Sequence, residues 1–165
     1  MAERERGGGC GCGHVRYSVA GNPIFTNNCH CTQCQHQTGS TSVVNAFYEA
    51  ERITLESGEL TEHVVTAGSG GPHTICRCSK CGAAVWSYYP RLGRLGAGLR
   101  VGTLDEPQAL IPDAVVHLRE KMPWVTPPEG IPQFEGYYDP AEILPPDRVA
   151  RLKDLVRRRE TSEGA

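Results

Sequence analysis

Apolar and polar residues alternate with period two over much of this chain, the spacing that turns one side of an extended strand to a core and the other to water. Residues 14–20 show it first, with Val15, Tyr17 and Val19 on one side. Residues 42–48, 52–56 and 62–66 read as three further strands, and residues 73–76 and 83–89 as a pair flanking a cysteine-rich turn. Residues 99–101 and 114–118 complete a mainly β pattern, with turn formers between the runs, most plainly Ser69, Gly70, Gly71 and Pro72. Residues 145–160 depart from it: they open with prolines and Asp147, and Val149, Leu152, Leu155 and Val156 fall on one face of a predicted helix. Between sheet and helix lie Pro123, Pro127, Pro128, Pro132 and Pro140, interleaved with Trp124, Phe134, Tyr137 and Tyr138. That composition predicts an extended segment laid across the sheet, with Trp124, Phe134 and Tyr137 as core cover.

Composition narrows the class. At 165 residues and 39% hydrophobic content the chain has the size and apolar fraction of one globular domain. A net charge of −2 gives no polyanion-binding surface, and the basic run Arg157 to Arg159 reads as a solvated helix end that suits the macrodipole. Nucleic acid is therefore not expected as a partner. The stretch Met1 to Gly9 is charged and then glycine-rich, without the apolar core of a signal peptide. No apolar run approaches the ~20 residues of a membrane helix. A cytoplasmic protein is expected, and in that compartment eight clustered cysteines point to metal rather than to disulfides.

The cysteines form three clusters: Cys10 and Cys12; Cys29, Cys31 and Cys34; and Cys76, Cys78 and Cys81, followed by Gly82. Zinc takes four ligands tetrahedrally, so two paired motifs complete one closed site. Cys10 and Cys12 with Cys78 and Cys81 make the natural four, a structural site joining the first strand to a turn far along the chain. The middle cluster leaves a zinc one ligand short. Cys76, His30 or His36 are candidates to close it, which would give an inert centre and a non-catalytic protein-interaction scaffold. Left open, the position suits a small thiol, which loses its proton on coordination and stays nucleophilic toward a small carbonyl compound. Zinc deaminase chemistry is not expected, because Cys31 stands where that signature needs its proton-shuttling glutamate.

Several of these motifs together resemble one family. They are Gly8 to Tyr17 around Cys10 and Cys12; Cys29-His30-Cys31-Thr32-Gln33-Cys34 leading to Thr38 and Gly39; and Arg77-Cys78-Ser79-Lys80-Cys81-Gly82. Gly102 to Asp105, Pro123, Trp124 and Phe134 fit further downstream. The sequence is similar to the glutathione-dependent formaldehyde-activating enzymes, which share their domain with centromere protein V. The resemblance implies a β-tent fold over residues 7–138, with residues 139–165 as a C-terminal helical extension. It implies two zinc ions per chain, a structural one at Cys10, Cys12, Cys78 and Cys81 and a catalytic one at Cys29, Cys31 and Cys34. Glutathione would be the co-substrate thiol, S-hydroxymethylglutathione the adduct, and carbon–sulfur lyase the reaction class. Cys76 is a departure, since the family pattern needs no cysteine there.

Around the second cluster, His30 reads as a second-layer or surface histidine pointing away from the metal, and Gln33, Gln35 and Gln37 as donors to sulfur or to a bound tripeptide. Thr38, Gly39 and Ser40 offer backbone N–H groups to a glutathione carboxylate, or else form the turn into the next strand. Arg77 and Lys80 read as solvated cations.

Overall fold

The computed structural model of the protein describes residues 4–163; residues 1–3 and 164–165, the tips of the charged leading stretch and of the C-terminal extension, lie outside it. Ten strands are described: β1 (Glu5–Gly9), β2 (Arg16–Ala20), β3 (Phe25–Cys29), β4 (Val43–Glu49), β5 (Ile53–Ser57), β6 (Leu60–Thr66), β7 (Pro72–Cys78), β8 (Ala84–Tyr88), β9 (Gly96–Arg100) and β10 (Ala114–Val116). Three helices accompany them: α1 (Thr32–Thr38), α2 (Pro140–Ile143) and α3 (Pro146–Glu163). The strands form a three-stranded sheet, β1-β2-β5, and a seven-stranded sheet, β10-β3-β4-β9-β8-β7-β6. Neighbours run antiparallel except β10, which pairs parallel to β3. This is the mainly β, tent-like architecture with a C-terminal helix that the sequence predicts.

The two sheets close over one core. Val15, Tyr17 and Val19 meet Ala46, Tyr48, Val85, Trp86, Ala97 and Leu99, nearly all of them wholly buried. Each large apolar side chain so buried contributes roughly 1.5–3 kcal/mol relative to exposure. Tyr17 sits edge-on to Trp86 at 5.7 Å, with its hydroxyl 2.7 Å from Thr103 Oγ1, so its polar end is satisfied inside the core.

Because side chains alternate, the other face of the large sheet carries a different set. Phe25 pairs with Phe47, Asn27 with Asn45, and Asn45 with Arg100. The apolar end of this face, Phe25 and Phe47 with Ile24 and Leu92, is covered by Leu144, Leu152 and Leu155 from α3 and the segment before it. The polar end holds Asn27, Asn45, Arg100, Ser87 and His73, all buried, and it lies beside the middle cysteine cluster.

The structure revises some boundaries. The strand expected at 99–101 is Gly96–Arg100, because Val101 starts a 3-10 turn; that expected at 114–118 stops at Val116, because His117 turns left-handed at φ 58°. The cover segment is Pro132 to Tyr138, joined to β10 by Val115 N–H to Pro132 O at 2.8 Å and Phe134 N–H to Val115 O at 2.9 Å. Its buried ring is Tyr138. Trp124, expected as core cover, is 74% exposed, lifted off by the Met122–Val125 turn, and Tyr137 is 47% exposed.

Candidate metal centres

Cys10 and Cys12 sit in the turn between β1 and β2, Cys78 ends β7, and Cys81 lies in the turn from β7 to β8. Each turn ends at a glycine in the left-handed region, Gly13 at φ 77° and Gly82 at φ 76°, and folds back through Gly13 N–H to Cys10 O and Gly82 N–H to Cys78 O. The four thiol sulfurs lie within 4.8 Å of one another. Two of the separations are 3.5 Å (Cys10 to Cys12) and 3.8 Å (Cys12 to Cys78). Four sulfurs bonded tetrahedrally to zinc at 2.3 Å would stand about 3.8 Å apart, so this set fits the ion. Backbone N–H groups of Val15 and Cys81 donate to the sulfurs of Cys10 and Cys78 at 3.2 and 3.5 Å. Slight burial pushes the Cys10 thiol up, but the Val15 N–H and the neighbouring Cys12 thiol override it and bring it down to about 6.

The second cluster is built where β3 hands over to α1. Cys29 ends the strand, Cys31 is the N-cap of the helix with its sulfur accepting the Cys34 N–H at 3.4 Å, and Cys34 is buried in the first turn. Thr32 N–H and Oγ1 both donate to Glu120 Oε2, at 2.7 and 2.8 Å, which fixes the helix start. The three sulfurs converge within 4.8 Å, and among the described residues no other cysteine, histidine or carboxylate joins the group. So close together, the thiols cannot all ionise unaided. Hydrogen bonds from Cys29 and then Cys34 hold Cys31 down near 2, while its bonds to Cys31 and Cys34, with burial, drive Cys29 far up. Cys34 is pulled down by Cys29 yet pushed up by Cys31 and by burial, ending at about 12. A set of three thiols that must shed their protons together is a donor set for a soft cation.

Beside this cluster lies a polar network that the sequence reading missed. Arg100 is 4% exposed, and among the described residues no carboxylate pairs with it. Its guanidinium donates instead to neutral acceptors: Asn45 Oδ1, Tyr89 OH at 3.4 Å, and Gln37 Oε1 and Ser87 Oγ at 3.0 Å each. Gln37 also meets His73 Nδ1 at 3.1 Å, and the His73 ring stacks on Tyr89 at 4.1 Å. Burial and the Arg100 charge together push His73 down to about 4. Between α1, the ends of β4 and β9, and the β7–β8 turn runs a cleft of about 700 Å³, whose lining includes Gln37, Thr38, Val43, Arg77, Cys81 and Arg100.

The sequence profile of the family described as glutathione-dependent formaldehyde-activating enzyme matches residues 5–120. The chain belongs to that family. A curated protein of Halomonas elongata, provisionally named a glutathione-dependent formaldehyde-activating enzyme, is 30% identical over 88 residues. That alignment covers 51% of this chain and 56% of the relative, so the chain matches little more than half of the relative's length. A crystal structure of a Rhodobacter sphaeroides protein is 18% identical with a TM-score of 0.47, covering 78% of this chain and 98% of that one.

The remaining cysteine is placed apart from both clusters. Cys76 is buried in the core between the sheets with its sulfur 4.0 Å from Glu62 Oε1, and burial raises it to about 12. His36 is exposed, and His30 is buried against the Thr41 backbone; neither joins the thiols. Gln33 bridges Thr66 O and the Gly68 N–H, while Gln35 holds His30 O and Glu120 O, so both pin α1 in place. The Thr38, Gly39 and Ser40 N–H groups expected for a carboxylate are partly engaged: Gly39 N–H caps the helix on Gln35 O, and Ser40 N–H bonds Thr38 Oγ1. Their hydrogen bonds are those of the turn. Arg77, expected in solvent, instead clasps Gly82 O at 3.0 Å and Gln37 O at 3.5 Å, tying one cysteine turn to α1, while Lys80 is exposed.

Proposed function

We propose that this protein is a zinc-dependent carbon–sulfur lyase-type enzyme, joining the sulfur of glutathione to formaldehyde or a similar small aldehyde and cleaving such adducts. The observation that carries the reading is the inequality of the two thiol clusters, four sulfurs in one and three in the other. In this reading Cys10, Cys12, Cys78 and Cys81 enclose a structural zinc, and Cys29, Cys31 and Cys34 hold the catalytic one. Zinc held by three thiolates supplies a fourth position at which an added thiol is acidified.

The remaining work falls to the chain itself. Cys31 at the helix cap and Cys34 one turn on keep the donor set in register, braced by Glu120 on Thr32. Arg100 places one positive charge beside a site gathering three negative ones. The cleft has the volume of a small-ligand pocket, and Arg77 and Arg100 among its lining residues suit a thiol bearing carboxylates. It adjoins the three-thiol cluster through Gln37 and Thr38 of α1 and is not lined by Cys29, Cys31 or Cys34. In the reaction the thiol proton leaves to solvent, the sulfur lone pair forms the carbon–sulfur bond, and the carbonyl oxygen takes up a proton. The scaffold alternative needs a fourth protein ligand on the second cluster. Cys76 is committed elsewhere, which favours the enzyme.

Zinc stoichiometry and folding in cysteine variants test the division of roles. Cys34→Ser is expected to keep the circular dichroism of the parent, lose one of two zinc ions, and lose acceleration of adduct formation. Cys12→Ser is expected to be insoluble or unfolded, since metal binding there supplies folding free energy. Cys76→Ser should retain both ions. Loss of a zinc from Cys76→Ser, or the reverse folding pattern, would contradict the assignment.

A further inference from the structure

The histidine beside the three-thiol cluster carries a donor with no acceptor. Arg100 has only N–H groups to offer, so its bond to Gln37 assigns the oxygen of that amide to Arg100 and the NH2 to His73. The His73 Nδ1 must then accept. The ring is neutral at physiological pH, held so by burial and by Arg100. Its proton therefore sits on Nε2. That atom is buried, and among the described residues it has no hydrogen-bond partner. Leaving a buried donor unmatched is costly, and such an atom calls for an explanation.

The location points to the ligand. Cys34 and Gln37 are three residues apart on α1 and so share a helix face, and Gln37 touches His73. Tyr89, stacked on the His73 ring, lies within electrostatic range of Cys34 and Cys29, as His73 does of Cys31. The imidazole thus lies beside the three-thiol cluster, linked to its helix through Gln37.

We propose that His73 is a substrate-binding catalytic residue, its Nε2–H donating a hydrogen bond to the oxygen of the aldehyde as that oxygen gains negative charge on attack by the thiol. The inference rests on the functional reading above. Oxygen is the fitting acceptor because sulfur accepts weakly, and because charge accumulates on oxygen when the carbon–sulfur bond forms. The sulfur lone pair makes that bond, the carbonyl π electrons move to oxygen, and the oxygen is protonated by water. His73 keeps its proton throughout. Gln37 and Arg100 are positioning residues that choose the tautomer.

The zinc-loaded full chain provides the test, with glutathione and formaldehyde as probes. Nitrogen-detected NMR of His73 should show the Nε2–H tautomer at pH 7, and its Nε2–H resonance should shift downfield when both probes are present but not with glutathione alone. In His73→Phe, zinc content and glutathione affinity should persist while formaldehyde–glutathione exchange slows about ten- to a hundredfold. His73→Gln, which keeps an N–H donor, should recover part of the loss. An Nδ1–H tautomer, a resonance indifferent to the probes, or His73→Phe exchanging as fast as its parent would overturn the inference with the functional reading intact. A parent protein that does not accelerate exchange overturns both.

Discussion

Burial acts against a proton on His73, and the Arg100 charge adds to it, so the folded chain holds this ring neutral down to about pH 4. In the unfolded chain the same imidazole takes a proton below about pH 6.5. Between those values the unfolded state binds more protons, so stability rises with pH across the window and falls on acidification. The full effect is on the order of 3 kcal/mol, and the contribution is flat above about pH 6.5. Denaturant unfolding at pH 4.5 and 7 should therefore show a steeper acid loss for the parent than for His73→Phe. Equal losses would mean that the ring is not held neutral. None of this was legible in the sequence. His73 looked like an ordinary strand residue, and Arg100 is a lone charge after Gly-Ala-Gly-Leu. Only the pairing of Asn27, Asn45 and Arg100 across three strands shows that their face is a buried polar site.

Elements whose side chains alternate were readable; elements whose shape follows from the site were not. β1 is glycine at three of its five positions and has no apolar pattern to read, and β3 runs Phe-Thr-Asn-Asn-Cys because its inner face serves the thiol cluster. α1 has no apolar stripe, and its cap is a cysteine sulfur. The glycines of β1 are required by contact, for a Cβ on Gly8 would meet the Tyr17 ring and lie 2.7 Å from Thr103 O. Gly8→Ala should therefore push β1 off β2 and destabilise the fold by about 1–3 kcal/mol, the usual cost of overpacking. Thermal unfolding would show it. Because Cys10 follows β1 directly, zinc retention in the first cluster should weaken in the same variant. A neutral Gly8→Ala would mean that the sheet edge is looser than its packing indicates.

Across the whole molecule, the two clusters lie at different places in the fold. The first is where the small sheet's β1–β2 turn meets the end of β7 and the turn to β8, and the second is where β3 enters α1. α3 backs the large sheet from the far side through Leu152 and Leu155, with Arg148 on Asp113 and Arg151 on Glu49 holding it in place. The cysteine spacing made both clusters legible before the fold was known, because C-x-C and C-x2-C pairs leave few ways to surround a metal. It left open whether Cys76 closes the second one. Registry settled its place: Cys76 pairs with Trp86 on β8 and faces the inter-sheet core.

In the proposed enzyme one zinc ion is fully enclosed by protein sulfur and the other is not. Zinc-edge absorption spectroscopy of the two-zinc protein, without and with saturating glutathione, tests it most directly. A light-atom neighbour is expected at one of the two ions, replaced by one new sulfur when glutathione is added. Sulfur alone around both ions from the start, unchanged by glutathione, would contradict it.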